Sequence, residues 1–400
     1  MLSGKRIVLG VTGGIAAYKA VEISRRLVDA GAHVMPVMPN AATRFVGETT
    51  LSALASEPVR TRLWDDPQTP IPHTKLGQSA DLILVAPATA RIISAYATGL
   101  ATDLLSNVLL ATRAPVVICP AMHTEMWENP AVADNIATLR ARGVHVVDPE
   151  SGRLAGGDSG AGRLASPETI VAAVERVLGP GDLAGVRVVV SAGGTREPID
   201  PVRVLANRSS GKQGYAIAAE AAARGAQVTL VSTVDLSVPA GVTVARVDTA
   251  AEMQAALEHL APASDVVVMA AAVADFRPKA PATHKLKKHD GVPEIVLEPT
   301  PDILAGLGAG KRPGQVLVGF AAETDDLAAN ATSKLVNKRV DMIVANDVGA
   351  PATGFGYDTN AVTIFLADGD PVAVPLSDKR AIAAAVLDQI VARRARLGNN

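Results

Sequence analysis

A chain of 400 residues has room for roughly two to three domains. With 48% hydrophobic and 20% charged residues it can bury sizeable cores, and a formal net charge of −2 argues against a nucleic-acid-binding surface. One cysteine excludes an internal disulfide framework and suits a reducing cytoplasm, while no apolar run approaches the ~18 residues of a membrane span. The first apolar stretch stops at Gly10, which reads as no signal peptide, so a cytoplasmic protein without membrane or nucleic-acid partners is expected.

In the first half, residues 7–11 read as a buried parallel strand and 15–29 as the helix after it, ended by Gly31. Residues 33–37 make the next strand. An irregular proline-rich stretch follows, then strands at 81–86 and 115–119, a helix from about 131 to 142, and a short strand at 144–147. Strands alternating with helices predict the α/β class, a doubly wound parallel sheet with ligands at the carboxyl ends of its strands.

Three of those strand ends carry small or polar residues. Gly13-Gly14 lets a backbone approach an anion and frees N–H groups at a helix start. Thr89, after Ala86-Pro-Ala88, offers a hydroxyl at a second strand end, and Pro120-Ala-Met-His-Thr-Glu-Met-Trp127 follows a third. A full G-x-G-x-x-G with an acidic residue ~20 positions on is missing, which counts against a dinucleotide; a mononucleotide such as FMN fits better. His73, between Pro72 and Thr74, reads as part of a polar loop. Cys119, inside an apolar strand, reads as a buried small hydrophobe.

Leu178-Gly-Pro-Gly-Asp182 stops the preceding helix and marks a boundary, giving a first domain over 1–178, a linker over 179–185 and a second domain over 186–400. The second domain opens on the β-branched run before Gly193-Gly194. Strands are predicted at 186–191, 227–232, 265–269, 315–319 and 341–344, with helices beginning near Lys212, Ala250, Pro301, Asp325 and Ser377. Residues 362–366 and 371–374, separated by an Asp-Gly turn, read as an antiparallel hairpin. Asn207-Arg-Ser-Ser-Gly211 sets amide, hydroxyl and N–H donors at a helix N-terminus, which suits phosphate. Lys285-Leu-Lys-Lys288 is a basic cluster, and Lys334 and Lys338 share a helix face. Basic residues in three segments of one nucleotide-type sheet suit a polyphosphate, whose leaving pyrophosphate needs concentrated positive charge.

Over residues 4–178, the motifs Gly13-Gly-Ile-Ala-Ala-Tyr-Lys19, Ala86-Pro-Ala-Thr-Ala90, His73 and Pro120-Ala-Met-x-x-x-Met-Trp127 resemble the flavin-containing cysteine decarboxylases. Over about residues 186–366 the chain resembles the phosphopantothenate–cysteine ligases. The matching segments are Gly193-Gly-Thr-Arg-Glu197, Asn207-x-Ser-Ser-Gly211, Ala271-Ala-Val-Ala-Asp275, Lys285-x-Lys-Lys288, Thr300-Pro-Asp-Ile303, Gly319-Phe-Ala-Ala-Glu-Thr324 and Ala345-Asn-Asp347. The two halves in this order resemble the family of bifunctional bacterial coenzyme A biosynthesis proteins.

That resemblance implies a flavodoxin-like flavoprotein domain followed by a Rossmann-like ligase domain. FMN would be held between subunits of a trimer by Gly13, Gly14, Ile15, Ala16, Ala88, Thr89, Ala90 and Ser106, with His73 and His123 catalytic. The second half, dimeric, would join 4′-phosphopantothenate to cysteine through an acyl-cytidylate made from CTP with Mg²⁺. Asn207 and Lys285 would be catalytic there, and Asp275, Lys285, Thr300, Pro301, Asp302, Ile303, Phe320, Lys334 and Lys338 would bind CTP, with Asn207 on the acyl-cytidylate. Metal ligands are not assigned.

Two departures stand out. The family motif reads Pro-x-Met-Asn-x-x-Met-Trp, and this chain has His123 in place of the Asn. A mobile flap in the family carries a Cys just before Gly-Asp as proton donor; here the flap Ser151-Gly-Arg-Leu-Ala-Gly-Gly-Asp-Ser-Gly160 has Gly156. Two rival readings follow: a ligase whose flavin-binding half is inactive or regulatory, and a two-domain nicotinamide oxidoreductase.

Overall fold

Strands with no polar alternation, such as Leu82–Ala88, which is buried throughout, demand cover on both faces, and both main sheets are built from them. The computed structural model describes residues 2–64, 69–287, 293–323, 326–347, 354 and 356–398, leaving aside the side chains of Glu323 and Asp347. Lys288, Thr324 and Asp325, singled out above, lie outside the described residues. The chain divides into two units, Met1–Pro180 and Gly181–Asn400.

In the first unit, β1 (Arg6–Gly10), α1 (Lys19–Asp29), β2 (His33–Val37), α2 (Glu48–Leu54), α3 (Pro72–Ser79) and β3 (Leu82–Ala88) come first. Then follow α4 (Ala90–Thr98), α5 (Leu104–Ala111), β4 (Val116–Pro120), α6 (Thr124–Trp127), α7 (Pro130–Ala141) and β5 (His145–Val146). The hairpin β6 (Glu150–Arg153) and β7 (Ser159–Arg163) and the helix α8 (Pro167–Leu178) complete it. The sheet order is β2-β1-β3-β4-β5, all parallel. Ile7 and Leu9 join Ile23 and Leu27 of α1 in one core cluster, while Val8 packs with Leu104 and Leu105 in the other. This flavodoxin-like order reverses direction between β1 and β3, which opens a crevice at their carboxyl ends.

The second unit comprises β8 (Arg187–Ala192), β9 (Arg196–Pro198), β10 (Val204–Ala206), α9 (Lys212–Ala223), β11 (Gln227–Ser232) and β12 (Val242–Arg246). Next are α10 (Ala250–Leu260), β13 (Val266–Met269), β14 (Phe276–Pro278), β15 (Leu297–Pro299), α11 (Ile303–Ala309) and β16 (Val316–Glu323). It ends with α12 (Leu327–Asn337), β17 (Met342–Asp347), β18 (Thr359–Leu366), β19 (Val372–Asp378) and α13 (Lys379–Gly398). The main sheet runs β12-β11-β8-β13-β16-β17-β18-β19, parallel as far as β17 and antiparallel beyond it. Its six parallel strands have the doubly wound Rossmann order, whose switch point lies between β8 and β13.

Several expectations need correction. His73 stands in the first turn of α3, not in a loop, because Pro72 at the first helical position already has the φ a helix needs. The flap is a hairpin, β6 with β7, whose glycines hid its pairing. Residues 15–18 form a tight 3₁₀ turn before α1 rather than its first turn. The sequence reading missed β12, a half-exposed edge strand, and started α11, α12 and α13 about two residues early.

Candidate active sites

At the first switch point the turn after β1 and the segment after β3 are tied together by one hydroxyl. Thr12 Oγ1 donates to Pro87 O at 2.7 Å and accepts from Thr89 N at 3.1 Å. Gly13 must be glycine, since a Cβ there would lie 2.7 Å from Ala41 O. A Cβ on Gly14 would meet only Thr89 Cγ2, at 3.4 Å, so turn and threonine face each other across a narrow cradle. Ile15 beside it is 62% exposed, an apolar side chain largely open to solvent. Ala16, Ala88 and Ala90 follow the same two segments, with Ala88 fully buried. The Ser106 hydroxyl is taken up by a capping box: it donates to Asp103 Oδ1 at 2.8 Å and accepts from Thr102 N at 3.0 Å.

Two histidines differ sharply in their surroundings. Nδ1 of His73 is buried and has no hydrogen-bond partner among the described residues, a cost that a bound group can relieve. His123 precedes α6, half-exposed, with Nδ1 at 2.5 Å from Glu125 Oε2 and Nε2 at 3.3 Å from Asp158 Oδ1. The hydrogen bond it donates to Glu125, then the charge of Asp158, raise its pKa above the ordinary value. His123, Glu125 and Asp158 lie within 4.8 Å of one another, but each ring nitrogen already faces its own carboxylate, an ion-pair clamp. Asp158 lies in the flap turn, and a Cβ on Gly156 would stand 3.0 Å from His123 Nε2. Cys119 is buried in β4, and desolvation pushes its thiol pKa far up, so it offers no reactive thiolate.

At the second switch point, Gly193 has φ +92°, and a Cβ on Gly194 would lie 2.7 Å from Asn207 O. Glycine there lets the Asn207 segment approach. Its Nδ2 donates to Val273 O at 3.1 Å, tying it to the segment that follows β13. A crevice runs from Ser209–Gly214 past Ala270–Ala272 to Phe320, Asn346 and Lys379. Asp275 O accepts Thr300 N at 3.0 Å, so those two segments adjoin, and the Asp275 side chain is exposed. Pro301 leads into Asp302, whose Oδ1 caps α11 on Ala305 N at 3.0 Å, and whose Oδ2 pairs with Lys338 Nζ at 3.2 Å. Lys334 lies one turn earlier in α12. The Ile303 side chain is core, leaving its backbone for any ligand.

Lys285 is exposed on a segment without regular structure. What holds that segment is Asp200, which sequence reasoning missed: its buried carboxylate accepts Leu286 N at 3.1 Å, and Arg203 NH2 donates to Leu286 O at 2.7 Å. Only Asp200 three residues before Arg203 hinted at this pair. Glu125 and Asp158 were missed too, since exposed acids carry no signal until a partner faces them.

No described helix is long and apolar enough to cross a membrane. The Flavoprotein family matches residues 1–179, and the family described as DNA/pantothenate metabolism flavoprotein C-terminal domain matches residues 183–393. The "Coenzyme A biosynthesis bifunctional protein CoaBC" of Mycobacterium tuberculosis (strain ATCC 25618 / H37Rv) is 48% identical over 97% of this chain and 96% of its own. The protein of that name from Bacillus subtilis (strain 168) is 45% identical over 98% of both. A crystal structure of the C-terminal domain of such a protein aligns with 55% of this chain and 100% of its own, at 42% identity and a TM-score of 0.47.

Proposed function

The chain belongs to the family of bifunctional coenzyme A biosynthesis proteins, and on that premise we propose that its two units catalyse consecutive steps. The second, over 186–400 after a linker at 179–185, ligates 4′-phosphopantothenate to cysteine with CTP. The first, over 1–178, decarboxylates the product to 4′-phosphopantetheine with FMN. One observation carries the reading: each sheet sets a glycine turn at its own switch point, and the two occur in one chain aligned almost end to end with its relatives.

A carboxylate is a poor electrophile until one oxygen belongs to a leaving group. In the ligase, a carboxylate oxygen of 4′-phosphopantothenate attacks the α-phosphorus of CTP, which enters as its Mg²⁺ complex, and pyrophosphate leaves. The cysteine amine then attacks the acyl carbon, giving the amide, CMP and a proton. Lys285, Lys334 and Lys338 offset charge on the phosphates, Asp275, Phe320 and residues 300–303 hold the nucleotide, and Asn207 holds the acyl-cytidylate.

The cradle of Gly13, Gly14 and Thr89 with the exposed Ile15 suits a mononucleotide flavin. Bound FMN would supply the electron sink, oxidising the cysteine's thiol end by two electrons so that CO₂ can leave and returning the two electrons afterwards, so that the net change is loss of CO₂ alone. His73 offers its Nδ1 to the reacting cysteine end, and His123, whose charged form Glu125 and Asp158 favour, delivers a proton to carbon after CO₂ has left. Trimers of the first unit, dimers of the second and a cytoplasmic location complete the reading. Incubating the purified protein with phosphopantothenate, cysteine and CTP tests it: 4′-phosphopantetheine, pyrophosphate and CMP are expected. Phosphopantothenoylcysteine alone would mean an inactive flavin half, and no pyrophosphate would overturn the ligase.

A further inference from the structure

We propose that Lys379 is a further substrate-binding residue of the second unit, its ammonium meeting the terminal phosphates of the nucleoside triphosphate that depart as pyrophosphate. The inference rests on the reading of this unit as a nucleotide-activating ligase. Lys379 is only 8% exposed, yet it lines the same crevice as Ser209–Gly214 at the N-terminus of α9. Its Nζ donates to Gly354 O at 3.3 Å, and among the described residues no carboxylate oxygen lies within 4.0 Å of it.

The acids around it are already engaged. Asp358 pairs with Lys212 Nζ at 2.6 Å, and Asp378 accepts Arg380 N at 2.9 Å and Ala381 N at 2.8 Å as the cap of α13. Arg380 turns to Glu220 at 3.2 Å. Lys379 therefore sits, with Lys212, where two helix N-termini add positive potential, a place that disfavours a cation. Burial, then the charge of Lys212, hold its pKa below the ordinary value. A second unmet group adjoins it: Gln213 donates Nε2 to Lys379 O at 3.0 Å, and its buried Oε1 has no partner among the described residues. A buried ammonium without a counter-ion is costly, and an anion entering the crevice removes that cost.

The test uses the full-length protein, its Lys379→Met and Lys379→Gln variants, and calorimetric titration with MgCTP, pyrophosphate and CMP. Each variant is expected to bind pyrophosphate and MgCTP about tenfold or more weakly, the range of a lost charge-assisted contact, with CMP affinity unchanged. Each is also expected to melt no lower than the parent protein without ligand, since an uncompensated charge has gone. Undiminished pyrophosphate binding in the variants overturns the proposal, as does failure of both variants to fold, which would make Lys379 part of the framework. A parent protein that binds neither MgCTP nor pyrophosphate overturns the ligase reading and this inference with it. Binding by the parent with no effect of substitution sinks the inference alone.

Discussion

The buried carboxylate of Asp200 accepts the backbone N–H of Leu286, 86 residues away, at 3.1 Å. It also accepts Arg203 NH2 at 2.5 Å and the N–H groups of Val202 and Arg203, each at 2.8 Å, so all of its acceptor capacity goes to fixing two loops. Burial alone would raise its pKa, but the bonds from Arg203, Val202 and Leu286 outweigh that and hold it well below the usual range. A depressed folded pKa means that the stabilisation is complete above the unfolded value of ~3.9 and is lost as pH falls through the folded one. The clamp is therefore intact at neutral pH. Asp200→Asn is expected to speed hydrogen exchange at Leu286 and to raise KM for CTP more than it lowers kcat. Unchanged exchange at Leu286 would remove Asp200 from the positioning of Lys285.

The ligase half-reactions separate two further residues. On the proposed reading Lys285→Gln removes charge that would offset the leaving group, so pyrophosphate release is expected to slow by roughly 10²–10³-fold, the scale of a lost transition-state donor. Asn207→Asp places a carboxylate beside the Val273 carbonyl that Asn207 now bonds, and is expected to slow amide formation more than pyrophosphate release. Quenched-flow measurement of pyrophosphate and amide in both variants checks this. Equal loss of both products in both variants would refute the division of roles.

His73→Asn is expected to retain the flavin and abolish CO₂ release. Its buried Nδ1 is unpartnered among the described residues, and it lies on α3, outside the turn after β1 and the segment after β3 that form the cradle. Flavin absorbance per subunit and trapped CO₂ are the two readings. A colourless but folded variant would move His73 into the cofactor cradle.

What the sequence made legible was local. The β-branched run Arg187–Ala192 followed by Gly193-Gly194, and the matching run before Gly13-Gly14, expose a strand and a turn at once, and strand–helix alternation gave both doubly wound sheets. Less legible was structure decided by distant partners. β12 is a strand because β11 pairs with it, its own residues being only half buried. Asp200 and Leu286 share no pattern in sequence; only the fold brings them together. His73 was misplaced because one proline was read as a loop signal when it is also the residue that best starts a helix.

The boundary between the units gives a fourth expectation. Leu183 is fully buried in the second unit's core, and its N–H bonds to Arg224 O at 3.2 Å, while Asp182 pairs with Arg224 at 3.4 Å. A fragment of residues 181–400 is expected to fold alone and retain ligase activity. A fragment beginning at 186 loses the Leu183 side chain and should be less stable by about 3 kcal/mol, the usual cost of emptying a leucine site. Urea denaturation of the two fragments measures the difference. Equal midpoints would show that Leu183 contributes nothing, and a folded but inactive longer fragment would count against separability.

The last expectation concerns the flap. A side chain at Gly156 would begin 3.0 Å from His123 Nε2 and 3.0 Å from Asp158 Oδ1, so a larger flap residue would require both groups to give way slightly. The two departures from the family's motifs thus lie beside each other in the fold. The imidazole is clamped between Glu125 at 2.5 Å and Asp158 at 3.3 Å, and both carboxylates stabilise its charged form. A raised folded pKa means that His123 stays protonated above its ordinary ~6.5, and that the associated stabilisation is lost only as pH rises through the folded value. His123→Asn, which restores the family's amide without restoring an acid, is expected to release CO₂ but accumulate the unsaturated enethiol, its onward conversion slowed about 10²-fold or more, as befits the loss of a general acid. In the parent protein the same conversion should fall off on the alkaline side, and Glu125→Gln should shift that fall to lower pH. Turnover to 4′-phosphopantetheine that is unchanged in His123→Asn, or a pH profile that Glu125→Gln does not move, would leave His123 a binding residue and return the proton to solvent.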